Sequence, residues 1–125
     1  MKTCEKILIV DDNKWLTYFV KGMLERDGAT RKVVVVNDSR KAMEAVAAHN
    51  PDLIILDIEM PYVDGGMIAD QLRHSPQFSK IPILFLTCFL HKEEARYAVG
   101  RTGDVMLAKP ARRSELKAAI AACLM

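Results

Sequence analysis

The sequence predicts an α/β domain built on a parallel sheet with helices on both faces. Two observations carry this. Five short apolar runs alternate with five helix-like segments, and such alternation marks parallel strands joined by crossover helices. The run Leu53-Ile54-Ile55-Leu56 is apolar at every position, as expected of a strand buried on both faces. A third observation concerns function. Four of the five runs deliver a candidate carboxylate, hydroxyl or ammonium at the carboxyl end: Asp11 and Asp12, Asp57, Thr87 and Lys109. Open parallel sheets bind ligands at the carboxyl ends of their strands.

In chain order, Lys6 to Val10 reads as the first strand, stopped by Asp11-Asp12-Asn13. The first helix spans about Lys14 to Arg26, with Asn13 as N-cap and Gly28 as stop. Trp15, Leu16, Phe19, Val20, Met23 and Leu24 recur at helical spacing on one face, so Trp15 is expected in the core. Val33 to Val36 is a β-branched second strand. Asn37-Asp38-Ser39 then caps a helix over Arg40 to His49, with Ala42, Met43, Val46 and Ala47 inward, and Asn50-Pro51 ends it.

The third strand, Leu53 to Asp57, is closed by Met60-Pro61 and by the turn chemistry of Asp64-Gly65. A third helix follows from Gly65 to about His74. Pro82 opens the fourth strand, Ile83 to Thr87. A short polar helix is expected over Lys92 to Val99, broken by Gly100 to Gly103. The fifth strand, Val105 to Ala108, runs into Lys109-Pro110. The fifth helix spans about Arg112 to Leu124, with Leu116, Ala119, Ile120, Cys123 and Leu124 on one face.

Composition narrows the function classes. A chain of 125 residues suggests one domain, 1–125, and buries roughly two thirds of its unfolded surface. A formal net charge of +2, with Lys and Arg dispersed, gives no electrostatic footprint for nucleic acid. The start of the chain does not read as a signal peptide, and no apolar run approaches membrane-spanning length. Cys4, Cys88 and Cys123 are odd in number and lack CxxC spacing; they read as reduced thiols of a cytoplasmic protein, Cys88 as a small buried filler. His49, His74 and His91 fall in separate segments and read as surface residues.

In a parallel sheet the strand ends lie on one edge, so three carboxylates, a hydroxyl and an ammonium converge there. Crowded carboxylates repel one another. A divalent cation relieves this, and Mg²⁺ takes one or two protein carboxylates while keeping several waters. Asp57 is a candidate nucleophile or metal ligand; its alternative is a strand-end Asp capping the next turn. Lys109 beside a metal, with the Thr87 hydroxyl opposite, makes a receptor for a tetrahedral dianion. Aspartyl carboxylates are nucleophiles toward phosphoryl groups, and Mg²⁺ and Lys hold charge on the transferring oxygens.

Val10-Asp11-Asp12-Asn13, then Leu56-Asp57-Ile58-Glu59-Met60-Pro61-Tyr62-Val63-Asp64-Gly65, then Leu86-Thr87, then Lys109-Pro110 stand in that order at predicted strand ends. Together they resemble the receiver domain of bacterial two-component response regulators, over essentially the whole chain. The resemblance implies a flavodoxin-like doubly wound five-stranded parallel sheet, order 2-1-3-4-5, with five helices; that order is known from a chemotaxis receiver. It implies that Asp57 accepts a phosphoryl group from a sensor histidine kinase or histidine phosphotransfer protein. Asp12, Asp57 and the backbone carbonyl of Glu59 would ligate Mg²⁺ directly, and Asp11 mostly through metal-bound water. Thr87 and Lys109 would contact the phosphoryl oxygens, and the Lys109-Pro110 bond would be cis. Output would pass through the face made by the fourth helix, fifth strand and fifth helix, to an unknown output protein or domain. That face would leave a monomer or weak dimer, with no direct contact to nucleic acid or membrane. On this reading the chain is a phosphoacceptor that catalyses its own phosphorylation and dephosphorylation rather than an enzyme with a separate substrate.

The pattern departs from the family at three places. Met106 stands where receivers carry Tyr or Phe as a rotamer switch coupled to the threonine. Residues 100–105 match the usual Gly-Ala-Asp-Asp consensus poorly, and Cys88 replaces Ala or Gly. The expected consequence is a Thr87–Met106 coupling that is weaker or differently built, since Met repacks without two discrete positions. Glu59 overlooks the site, either as a modulator of acyl-phosphate lifetime or as a solvated loop residue. Three other classes compete. An Asp-nucleophile phosphatase would want a second Asp at position 59. A receiver-fold docking module would not need Asp12, Asp57, Thr87 and Lys109. Flavin binding would need a Ser/Thr-Gly phosphate loop after the first strand.

Overall fold

The computed structural model describes residues 4–26, 30–87, 105–109 and 111–124, with backbone alone for residues 4, 5, 30, 31 and 87. In order, its elements are β1 (Cys4–Val10), α1 (Lys14–Arg26), β2 (Thr30–Val36), a 3₁₀ turn (Ser39–Lys41), α2 (Ala42–His49), β3 (Leu53–Leu56), α3 (Gly65–Arg73), β4 (Ile83–Thr87), β5 (Val105–Ala108) and α4 (Arg113–Leu124). The helix anticipated over 92–99, the break at 100–103, Gly28, Cys88, His91 and Pro110 lie outside the described residues, and α4 is the fifth helix of the sequence reading.

The sheet order is β2-β1-β3-β4-β5, with every pairing parallel. The expected doubly wound flavodoxin-like arrangement is therefore observed. β3 sits at the centre because it can be apolar on both faces: Leu53, Ile54, Ile55 and Leu56 are all buried. Alternation along each strand divides the core in two. Ile7, Ile9, Leu53, Ile55, Leu84 and Leu86 face α1 and α4, packing on Val20, Leu24, Leu116 and Ile120. Leu8, Val10, Ile54, Leu56, Ile83 and Phe85 face α2 and α3, packing on Val46, Ile68 and Leu72.

The helix ends follow local chemistry. Asn13 accepts the Leu16 N–H at 3.1 Å, and Asp64 accepts the Met67 N–H at 2.9 Å, each an N-cap. Asn50 closes α2 in the left-handed region, φ 46, where Asn is tolerated. The expected Asn37-Asp38-Ser39 cap divides into separate roles. Asp38 alone caps, accepting Arg40 N–H at 3.0 Å, and the turn it caps is 3₁₀ over Ser39–Lys41 before α2 begins. Ala47, expected inward, is exposed, while Ala45 packs against the α2–α3 side of the core.

Two expectations for α1 are corrected. Trp15 is 84% exposed and Phe19 63%, so neither is core. The buried face is Thr17, Val20 and Leu24, with Leu16 and Met23 at its margin. Trp15, Tyr18 and Phe19 lie at i, i+3 and i+4 on the other side. The helix is apolar over too much of its circumference for hydropathy alone to say which arc meets the sheet. β2 decides it, through side chains of α1 that grip its outer edge. Lys21 donates to the Val33 carbonyl at 2.9 Å and Glu25 accepts the Val33 N–H at 2.9 Å. The two are themselves ion-paired at 2.8 Å. The Lys21 hydrogen bond, helped by the Val33 N–H, holds the Glu25 carboxyl below its ordinary range. Occupied backbone groups on an edge strand also remove a template for pairing with another chain.

Candidate functional site

Register brings the acid residues together. Val10 pairs with Leu56, so the next residues of the two strands, Asp11 and Asp57, emerge side by side. The ladder continues one step past the strands: Asp57 N–H donates to the Val10 carbonyl and Asp11 N–H to the Val36 carbonyl, each at 3.0 Å. Both carboxyls are thus fixed by sheet backbone rather than by a loose loop. Asp12 joins from the β1–α1 connection, and carboxylate oxygens of Asp11, Asp12 and Asp57 lie within 4.8 Å of one another. Asp11 and Asp57 are buried and Asp12 is exposed.

Lys109, just past β5, reaches the same edge. Its Nζ donates to Asp11 Oδ2 at 2.6 Å and stands 3.6 Å from Asp57 Oδ1, inside ion-pair range and beyond a hydrogen bond. The expected approach of Lys109 to Asp57 is therefore present, but its closest partner is Asp11. The other Asp11 oxygen accepts the Asn13 N–H at 2.9 Å. With both oxygens engaged, Asp11 offers less to a metal's inner shell than exposed Asp12 does. Glu59, Met60 and Pro61 form one wall of the depression around these groups.

The donor set suits a hard divalent cation. All candidate ligands are oxygens, three carboxylates share one small volume, and one is exposed enough to meet a hydrated ion. Mg²⁺ fits this chemistry. A soft metal does not, since no thiolate or imidazole joins the cluster among the described residues.

Of the remaining anticipated residues, Thr87 ends β4 with its backbone paired to Ala108; its side chain is outside the described set. Met106 pairs with Phe85 in the ladder and packs, partly buried, on the α2–α3 side of the core. His49 and His74 lie at helix ends, as anticipated. Two residues at the site were not anticipated. Asn37 Nδ2 donates to the Asp11 carbonyl at 2.8 Å and to Thr17 Oγ1 at 3.0 Å, tying the end of β2 to the site backbone and to α1. Ser39 is buried and bonds the loop after β3. For Asn37 the available signal was a polar residue immediately after an apolar strand; Ser39, three residues past it, gave none beyond its place before a helix.

Residues 7–121 match the family model of the response regulator receiver domain, and the chain belongs to that family. It is 32% identical over 120 residues to the alkaline phosphatase synthesis transcriptional regulatory protein PhoP of Bacillus subtilis, covering 96% of this chain and 48% of that protein. It is 30% identical over 115 residues to the sensor histidine kinase TmoS of Ectopseudomonas mendocina, covering 92% of this chain and 12% of the kinase. The chain thus spans less than half the length of either relative. Among solved structures, the chemotaxis protein CheY4 of Vibrio cholerae superposes with a TM-score of 0.84 at 27% identity, covering 98% of this chain and 100% of that one. Receiver domains pair with histidine kinases and output domains. No helix among the described residues is long and apolar enough to cross a membrane.

Proposed function

We propose that the chain is a single receiver unit, 1–125, that takes a phosphoryl group onto Asp57 from a phosphohistidine on a sensor histidine kinase or histidine phosphotransfer protein. The observation that carries this is the packing of three carboxylates with Lys109 at the carboxyl edge of the sheet. An Asp57 oxygen attacks phosphorus as the donor's P–N bond breaks, leaving an acyl phosphate on Asp57 and a neutral imidazole on the donor after protonation. Mg²⁺, when bound, supplies positive charge to the transferring oxygens. Asp12, Asp57 and the Glu59 carbonyl are its proposed ligands, with Asp11 acting through water. Lys109, now on Asp11, is within a short side-chain movement of an oxygen on Asp57. Water then hydrolyses the acyl phosphate and restores the resting state, so the chain acts as a phosphoacceptor.

The test is intact mass after incubation with acetyl phosphate and Mg²⁺. One base-labile phosphoryl group is expected on the wild type and none on Asp57→Asn. Steady turnover of the donor without a stable adduct would favour the phosphatase class, and no uptake by the wild type would leave only a docking module of the same fold.

The exposed face of α1 is where the donor protein is expected to dock. Trp15, Tyr18 and Phe19 form an apolar patch on the helix that starts right after the acid cluster, with Arg26 and Arg113 beside it. Contiguous exposed aromatics mark interaction surfaces. Replacing Trp15 and Phe19 together by alanine is expected to slow transfer from a phosphorylated histidine kinase by about thirtyfold, the scale of one interface hot spot. Labelling by acetyl phosphate should be unchanged. Equal slowing with both donors would remove the docking role.

The proposed output surface lies around β5 and α4, with Thr87 and Met106 as the switch pair. Because Met106 is unbranched and packed on Phe85's side of the core, beryllofluoride is expected to shift amides at Asp57 strongly and those of β5 and α4 weakly. Comparable shifts at both would show coupling as strong as an aromatic switch provides.

A further inference from the structure

We propose that Ser39, assisted by Arg40, is a positioning residue for the metal site, holding the loop after β3 in a strained form that presents the Glu59 carbonyl beside Asp57. This rests on the metal-site reading above.

The loop from Ile58 to Asp64 contains an uncommon turn. Val63 N–H donates to the Pro61 carbonyl at 3.0 Å, an i to i+2 bond, and the residue between them, Tyr62, has φ 72. A three-residue turn with positive φ at its centre is the strained form of the γ-turn. A bulky aromatic residue there is an outlier. Such strain persists only where surrounding contacts over-determine it.

Those contacts come from the segment after β2. Ser39 Oγ donates to the Pro61 carbonyl at 2.6 Å and accepts the Val63 N–H at 3.2 Å. One buried hydroxyl thus grips both sides of Tyr62. The Arg40 guanidinium lies 3.9 Å from the Tyr62 ring centroid, within cation–π range. Arg40 is itself held by Asp38 through two hydrogen bonds of 3.0 Å. The other end of the loop is closed by Gly65 N–H to the Ile58 carbonyl at 2.8 Å. Glu59 and Met60 lie between these two fixings, so the position of the Glu59 carbonyl is set by both. Asp57 needs no such help, since the sheet fixes its backbone.

If Ser39 matters because it holds a strained turn, glycine at position 62, which adopts positive φ without strain, should make Ser39 less necessary. The experiment is calorimetric titration of Mg²⁺ into unphosphorylated protein for wild type, Ser39→Ala, Arg40→Ala, Tyr62→Gly and the Ser39→Ala/Tyr62→Gly double variant. Ser39→Ala is expected to weaken Mg²⁺ about tenfold, as loss of a residue orienting a ligand does. Arg40→Ala, at an exposed position, should weaken it by a smaller factor of about three. The double variant should regain most of the Ser39→Ala loss. Loop amide shifts of metal-free Ser39→Ala should move at Glu59 and Val63 and not at Asp57. Should Ser39→Ala not fold, Arg40→Ala alone decides the matter. Wild-type affinity in every folded variant would overturn this inference while leaving the metal site standing. A wild type that takes up no Mg²⁺ would overturn both.

Discussion

Gly65→Ala is expected to destabilise the fold by about 3 kcal/mol, the upper range for forcing atoms into a packed site. A Cβ at position 65 would fall 2.1 Å from the Asp57 carbonyl oxygen, 2.8 Å from Ile58 Cα and 2.9 Å from the Asp57 carbonyl carbon. All three are backbone atoms on the rim of the central strand, so no rotamer change can clear them. The first turn of α3 would have to lift away, breaking the 2.8 Å bond from Gly65 N–H to Ile58. The reason for glycine is close approach, since Gly65 does not lie in the left-handed region. Gly66→Ala is the control: its Cβ would meet only the Asp64 side chain, at 3.2 Å, and stability should change by less than about 1 kcal/mol. Urea denaturation of both variants tests the contrast. Equal stability of the two variants would mean that α3 has room to shift.

The parts of this fold that were legible from sequence are those whose signals are local or strictly periodic. Leu53–Leu56 reads as a strand buried on both faces, and it is central. Asn13 and Asn50 bond backbone within a few residues, so their roles as helix ends could be read directly, whereas Asp64, read as turn chemistry, caps α3. The convergence of Asp11, Asp12, Asp57 and Lys109 on one edge followed from parallel topology, because every strand then points the same way. What was not legible depends on which surfaces meet. Trp15 and Phe19 obey helical spacing as well as Val20 and Leu24 do, and hydropathy does not distinguish an arc that packs from one that waits for a partner. Ser39 looked like a helix cap because serine usually is one near a helix start; its partners are more than twenty residues away in sequence. The sequence also did not show which carboxylate Lys109 would choose. That choice bears directly on the charge balance of the site.

Lys109→Met is expected to destabilise the metal-free protein by about 3 kcal/mol, the lower range for breaking a buried ion pair by removing one partner. Methionine retains much of the stem's packing, so the loss isolates the charge. The Lys109 side chain is 13% exposed, that of Asp11 3% and that of Asp57 6%, so solvent screens these charges little. Two unit charges at 4 Å interact by about 4 kcal/mol at an effective dielectric of 20. Removing the ammonium forfeits attraction of that order and leaves the acid cluster's mutual repulsion uncompensated. Two further measurements separate this from generic damage. A divalent cation should restore more stability to Lys109→Met than it adds to the wild type, because the variant has the larger repulsion to relieve. At a hundred times the dissociation constant, binding alone contributes about 2.7 kcal/mol. Asp11→Asn placed in the Lys109→Met background should recover part of the loss even without Mg²⁺, because it removes the carboxylate that Lys109 grips most closely. A lysine kept for phosphoryl recognition alone would behave otherwise: its removal would leave stability within about 0.5 kcal/mol, unresponsive to Mg²⁺, and would impair only the response to phosphorylation. The 2.6 Å contact with Asp11 argues that Lys109 balances the acids in the resting protein; on the proposed function, a phosphoryl oxygen on Asp57 would have to compete with Asp11 to engage it. Under that proposal, the ammonium's change of partner from Asp11 to the phosphoryl group would be the first movement of the proposed switch.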